Sequence, residues 1–179
     1  MSLHMHPVAD PRDFRRALGQ FPTGVCVVTC APDGTPHGMT MSSFNTLSLD
    51  PPLVLFSIDR RALSLPEWER ADAFAVNVLA DGQAELSNRF ANPRGRKWEG
   101  VEHHASPLGA PILPGAAAWY ECVPHARHDG GDHVLFVVRV RSYRAEPERR
   151  PLVFCQGRYM QLDTGTREVP SWPLDIHYF

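Results

Sequence analysis

Residues 37–59 read HGMTMSSFNTLSLDPPLVLFSID. The alternation predicts a β-strand, a turn at Pro51-Pro52 and a second strand. Met39, Met41, Leu47 and Leu49 share one parity and would face one side of the first strand. Ser43 and Asn45 fall on that same parity. Phe44 falls on the other, among Thr40, Ser42, Thr46 and Ser48. A buried polar group without a partner costs about 1–3 kcal/mol. The pattern therefore asks either for a bulge that flips the strand or for a polar ligand lying against it. A planar, amphipathic ligand would suit both Phe44 and the hydroxyls.

The neighbouring segments extend the β reading. Upstream, GVCVVTCA is a buried strand and PDGT a hairpin turn, which makes residues 37–49 the return strand. Downstream, AFAVNVLA is a strand. AAAWYECVPHARHDGGDHVLFVVRVRSYRA is a pair of strands around HDGGDH, and PLVFCQGRYMQL is a last strand. Three short helices are expected. DPRDFRRALGQF has Asp10 as cap, Pro11 at the first position, and Phe14, Ala17, Leu18 and Phe21 at helical spacing. SLPEWERA has Ser64 as cap with Glu67 in the capping-box position. DGQAELSNRFANP has Asp81 as cap, with Leu86 and Phe90 on one face. Residues 94–115, rich in Gly, Pro and charge, read as a long loop with one small helix at most. With few βα alternations, the sum is a mainly β protein: an antiparallel barrel with peripheral helices.

Length and composition narrow the function. A chain of 179 residues, 43% hydrophobic, fits one domain with a sizeable core. A net charge of −2, both signs scattered, argues for neither nucleic acid nor an anionic membrane surface. No apolar run approaches the roughly 20 residues of a membrane span, and the N-terminus lacks the basic and apolar regions of a signal peptide. Cys26 and Cys30 would share a strand face roughly 13 Å apart, too far for one metal or a disulfide. With Cys122 and Cys155 they read as buried thiols of a cytoplasmic protein. Walker A, G-x-G-x-x-G, H-E-x-x-H and G-x-S-x-G patterns are absent. His128 and His133 lack the carboxylate or cysteine spacing that would complete a metal site.

Five segments in this order, FPTGVCVVT, GMTMSSFNTLSLDPPLVLFSI, FAVNVLADGQAELSNRFA, GGDHVLFVVRV and PLVFCQGRY, resemble the flavin reductase-like family, the reductase components of two-component flavin monooxygenases. The resemblance covers residues 12–163, leaving an extension at 1–11 and a tail at 164–179. It implies an FMN-binding split β-barrel, a homodimer that binds FMN or FAD. NADH or NADPH reduces the flavin, which passes to a separate oxygenase. Carried over residue by residue, it implies flavin contacts from Thr40, Met41, Ser42 and Ser43, with Asn45 as a further choice. Ser57, Ile58 and Ser64 match the phosphate side. Asn77, Val78 and Leu79 would flank the ring, and Ser87, Arg89 and Phe90 match a helix that approaches the phosphate. Arg89 suits this because a guanidinium forks onto phosphate oxygens. Gly131, Asp132 and His133 match a nicotinamide-binding turn, with His133 as the catalytic candidate that positions the ring or donates a proton.

Such chemistry needs no protein nucleophile. It needs the nicotinamide C4 within about 3–3.5 Å of flavin N5. A shallow cleft near His133 and the 94–115 loop is expected for it. The competing readings are a split barrel that binds flavin or haem, or oxidises a small substrate directly, without NAD(P)H turnover, and a purely structural barrel.

Overall fold

A computed structural model describes residues 5, 7–162 and 165; the tail expected at 164–179, save residue 165, and part of the 1–11 extension lie outside them. The described chain contains α1 (Pro11–Leu18), β1 (Thr23–Gly24), β2 (Cys26–Cys30), β3 (His37–Met41), β4 (Asn45–Leu49), β5 (Pro52–Asp59), α2 (Leu65–Arg70), β6 (Phe74–Val78) and α3 (Ala84–Ala91). These are followed by β7 (His104–Ala105), β8 (Pro111–Ile112), β9 (Ala118–Gly130), β10 (His133–Ala145), β11 (Val153–Cys155) and β12 (Arg158–Met160). Seven strands form one antiparallel sheet in the order β3-β2-β6-β9-β10-β5-β4.

The strand expected over 37–49 is two strands. β3 hydrogen-bonds β2 at one edge of the sheet, β4 hydrogen-bonds β5 at the other, and Ser42, Ser43 and Phe44 cross between them. The sheet is curled around its core. Phe56 of β5 packs on Phe74 of β6 with ring centroids 5.6 Å apart, although β9 and β10 separate those strands in the sheet. Cys26, Val28 and Cys30 join Phe56, Ile58, Phe136 and Trp68 in the interior. This is a mainly β, antiparallel barrel, split between β3 and β4.

Strand β2 is buried on both faces. Its Val27 faces outward with Leu79, Phe90 and Leu113, under α3 and the 94–115 loop. One of the side chains that fasten that loop is fully buried and bonds both the sheet and the loop. Asn77 is fully buried; its Nδ2 donates to Val27 O at 2.9 Å and its Oδ1 accepts from Leu113 N at 2.8 Å. The loop carries the short β7–β8 hairpin and no helix.

Several local expectations change. The parity that assigns Leu47 and Leu49 to the core fails, because β4 runs along the open edge; they are 43% and 71% exposed. PLVFCQGRYMQL turns back at Gln156-Gly157, both at positive φ, to give β11 and β12. Asp10 caps α1 as expected, accepting from Arg12 N at 2.7 Å. Ser64 makes no cap bond and instead accepts from Trp68 Nε1 at 3.2 Å. Asp81 does not cap α3, because the helix starts beyond Gln83, whose amide ties Ala80 N to Pro114 O. The thiols of Cys26, Cys30 and Cys122 are buried, free and raised to about 12 by desolvation, as inert core groups are, while Cys155 is only half-buried.

Removing the Asn77 amide leaves the Leu113 N–H without its acceptor. Asn77→Ala should lower the unfolding free energy by about 2–4 kcal/mol, combining a lost buried side chain with an orphaned donor. Urea denaturation with unchanged midpoint would show that the loop is held by other contacts.

Candidate functional site

Peptide groups along an edge strand point alternately toward and away from the neighbouring strand. In β3, Met41 O accepts from Cys26 Sγ on the β2 side, whereas Gly38 O accepts from Lys97 Nζ on the outer side at 3.1 Å. The same alternation directs the backbone groups of Thr40 and Ser42 to the open edge. Two adjoining cavities lie there, sharing Thr40 and Ala91 in their walls.

The smaller cavity, about 270 Å³, is lined by Thr40, Met41, Ser42, Ser87, Phe154 and Tyr159 among others. Thr40 Oγ1 donates to Ser87 O at 2.6 Å, fixing β3 to α3. Tyr159 O–H reaches Ser87 Oγ and Asn88 Oδ1, each at 2.8 Å. Ser42 is exposed. The larger cavity, about 510 Å³, continues along β3 to Ser64, Arg61, Lys97 and Trp98. Close packing builds the wall between: a Cβ on Gly38 would stand 2.5 Å from the Phe90 ring, so only glycine lets α3 approach this closely.

The His133 turn adjoins the larger cavity. His133 pairs in register with Asp59, and Asp59 holds Arg61 through Nε at 3.1 Å and Nη2 at 2.8 Å. These bonds from the Arg61 side chain, and then from its backbone amide, hold the Asp59 carboxyl well below the usual carboxylate range. Arg60 clamps the turn, donating to Gly131 O at 2.9 Å and Asp129 Oδ1 at 2.7 Å. Gly131 takes φ of +75°, which suits glycine. His133 is 40% exposed at its side chain, and its Nδ1 lies 2.6 Å from Asp132 Oδ1. A carboxylate only accepts, so Nδ1 donates, and Nε2 is the ring nitrogen turned away from Asp132.

The structure thus brings together Thr40, Met41, Ser42 and Ser87, with Ser64 in the adjoining cavity, and places Gly131, Asp132 and His133 beside Arg61. Others stand apart. The Ser43 hydroxyl is engaged at both ends, accepting from Ser57 N at 3.1 Å and donating to Ser57 O at 3.3 Å, so it closes β5 where β4 has ended. Asn45 is exposed, its Oδ1 on Thr46 N. Ile58, Asn77, Leu79 and Phe90 are core, at most 1% exposed. Val78 lines a separate apolar cavity with Phe44 and Tyr120. Arg89 donates to Glu99 O at 2.6 Å and lines a different cavity, with Leu86 and Glu102. Arg61, Lys97 and Tyr159 escape sequence reading. Arg61 and Lys97 are isolated polar residues outside any motif, Tyr159 is the last residue of the PLVFCQGRY segment, and only the fold brings the three to the groove.

Among the described residues no group of three or more His, Cys, Asp or Glu side chains could hold a metal, and no helix is long and apolar enough to cross a membrane. Comparison with known proteins shows the family. The model of the flavin reductase like domain matches residues 18–163. The chain is 44% identical to a flavin reductase of Pseudomonas putida, covering 84% of this chain and 89% of that protein. It is 42% identical to the reductase subunit of a flavin-dependent monooxygenase of Rhodococcus jostii, covering 95% and 87%. The solved structure of a Streptomyces globisporus NADH:FAD oxidoreductase, in complex with NAD and FAD fragments, superposes with a TM-score of 0.86 at 34% identity, covering 92% of this chain and all of that one.

Ser43→Ala removes the side-chain bridge to Ser57. It should lower stability by about 1–2 kcal/mol in denaturant melts while leaving flavin affinity within about twofold. A large loss of flavin affinity at unchanged stability would instead put the Ser43 hydroxyl on the ligand.

Proposed function

This chain belongs to the flavin reductase-like family, and from that premise we propose that the groove along β3 takes FMN or FAD as acceptor and NADH as donor. Its activity is flavin reduction that supplies a separate monooxygenase component. The observation that carries the site is the open edge of β3, where outward backbone groups of Thr40 and Ser42 meet a cavity walled by hydroxyls and apolar side chains. That donor set fits a flavin, whose ring is flat and apolar on its faces and carries donors and acceptors on one edge. Thr40, Met41, Ser42 and Ser87 are the residues we assign to it, with Ser64 at the other end of the groove. When bound, the flavin supplies the ring that accepts a hydride.

The chain's part is binding and orientation. Side-chain hydroxyls and peptide groups hold a neutral ring without a dense cationic cage, which suits a flavin that must leave. His133, its Nδ1 turned to Asp132, presents Nε2 at the rim beside Arg61 and positions the nicotinamide. The neighbour's description as an NADH:FAD oxidoreductase supports NADH and FAD as the pair. A cytoplasmic location is consistent with the free cysteines.

Mixing the protein with NADH or NADPH and FMN or FAD tests this directly, through loss of the nicotinamide absorbance. Flavin-dependent NADH loss is expected. Its absence in all four combinations would sink the donor assignment and favour a flavin-binding barrel without NAD(P)H turnover. His133→Ala should raise KM for NADH several-fold more than KM for flavin; equal KM values and kcat in the variant would return this residue to a structural role.

We also propose a homodimer, with α1 in its interface. Phe14 and Leu18 of α1 and Phe21 just beyond it are apolar, yet they are 45%, 59% and 75% exposed, and α1 buries no residue in the protomer. A helix that short draws its stability from packing, and a second copy of the chain would supply it. The expected outcome of analytical ultracentrifugation is a dimer that Phe14→Glu with Leu18→Glu converts to monomer. A wild-type monomer at micromolar concentration would exclude this interface.

A further inference from the structure

We propose that Arg60 is a positioning residue. From the end of β5 it brackets the tip of the β9–β10 hairpin, holds the His133 imidazole in place, and so sets the affinity for the nicotinamide nucleotide. The inference rests on the reading of His133 as a nicotinamide contact and deepens it.

The tip needs such a bracket. β9 pairs with β6 only through residues 118–122, so from Val123 to Gly130 its partner among the described strands is β10 alone. The two strands close at Gly130 and His133 around Gly131 and Asp132. A hairpin end built on two glycines is conformationally loose and weakly fixed in register. On the other side of β10, the ladder with β5 ends at the pair of His133 with Asp59. His133 therefore stands on the last supported rung.

Arg60 is the next residue of the chain, and it carries the contact past the end of that ladder. Its backbone N–H donates to Asp132 O at 2.9 Å and its Nε to Gly131 O at 2.9 Å. Its Nη2 crosses the turn to Asp129 Oδ1 on the far strand, at 2.7 Å. The same Asp129 oxygen accepts from Gly131 N at 3.1 Å, so it ties the turn and the guanidinium together. Asp132, whose carbonyl Arg60 holds, is the residue whose carboxylate takes His133 Nδ1. A shift of the turn thus passes directly to the imidazole. Arg61 does something else: its side chain returns to Asp59, two residues back.

The side chains of Arg60 and Asp129 are 47% and 80% exposed. An ion pair this open adds little to global stability. The bracket therefore fixes a position without holding up the fold, and function and stability should separate in a variant.

Arg60→Met should raise KM for NADH about tenfold, equivalent to about 1.4 kcal/mol, and KM for flavin less than twofold. Its thermal midpoint should stay within about 2–4 °C of the wild type. In the nucleotide-free protein, amide hydrogen exchange over residues 129–134 should quicken. An unchanged KM for NADH, an equal rise in both KM values, or unchanged exchange at the tip would each overturn the proposal. A cation can also attract an anionic nucleotide through its field alone, and Asp129→Ala separates the two effects. It deletes a negative charge, so the field would lower KM for NADH, whereas loss of the bracket's anchor raises it. A KM that falls or holds in Asp129→Ala overturns the proposal. Arg60→Met added to His133→Ala should change KM for NADH no further, because Arg60 acts through the imidazole. A multiplied effect would place Arg60 on the nucleotide itself and overturn the positioning role. Quickened tip exchange in Arg60→Met, with no flavin-dependent NADH loss by the wild type, would refute the nicotinamide reading and leave the bracket on His133 standing.

Discussion

Three residues must carry the chain from one edge of a seven-stranded sheet to the other. Met41 ends β3 and Asn45 begins β4, with Ser42, Ser43 and Phe44 between them. Four residue steps reach about 14 Å at most. The outer strands of a flat sheet of seven would lie about 29 Å apart. The sheet therefore has to curl until its edges nearly meet, and the interior contact of Phe56 with Phe74 is the result. Because the short link crosses the gap, β3 and β4 do not pair, and the barrel is left split along that seam.

The split is also where the groove lies. A closed barrel would pair every peptide group of β3. Here one row of them is free to meet α3, the 94–98 segment and a ligand. Ser43 fills part of the missing ladder by bonding both backbone groups of Ser57, and Phe44 stacks on Tyr120 at 5.8 Å. The hydroxyls that break the strand's parity thus divide into two duties. Ser43 repairs the barrel. Thr40 and Ser42 face the groove, Thr40 also fastening α3 through Ser87 O.

The groove is assembled from segments far apart in the chain, and each is held by a structural bond of its own. Asn77 pins the loop after β8 to the sheet, Gly38 lets Phe90 approach β3, and Arg60 fixes the His133 turn against the end of β5. Lys97 and Arg61 are brought into one wall only by this arrangement. Such a division, with rigid strands beneath and a polar rim of loop residues, lets the site be defined without closing it to exchange.

Local patterns determined much of this protein. Alternation marked the strands, Asp-Gly and Gly-Gly the hairpins, and Asp10-Pro11 the start of α1, because each depends on residues only a few positions apart. The ordered segments likewise marked the flavin reductase-like family. Only the tertiary structure decided that residues 37–49 are two strands on opposite edges, since periodicity is blind to which neighbour a strand will pair with. It also decided that Asn77, Leu79 and Phe90 hold the core, and that Arg89 faces away while Lys97 and Arg61 face in. For the polar residues the physical reason is that a side chain serves the fold or a ligand according to which partners lie within hydrogen-bond reach, and partners such as Leu113 N for Asn77 and Gly38 O for Lys97 stand 36 and 59 positions away.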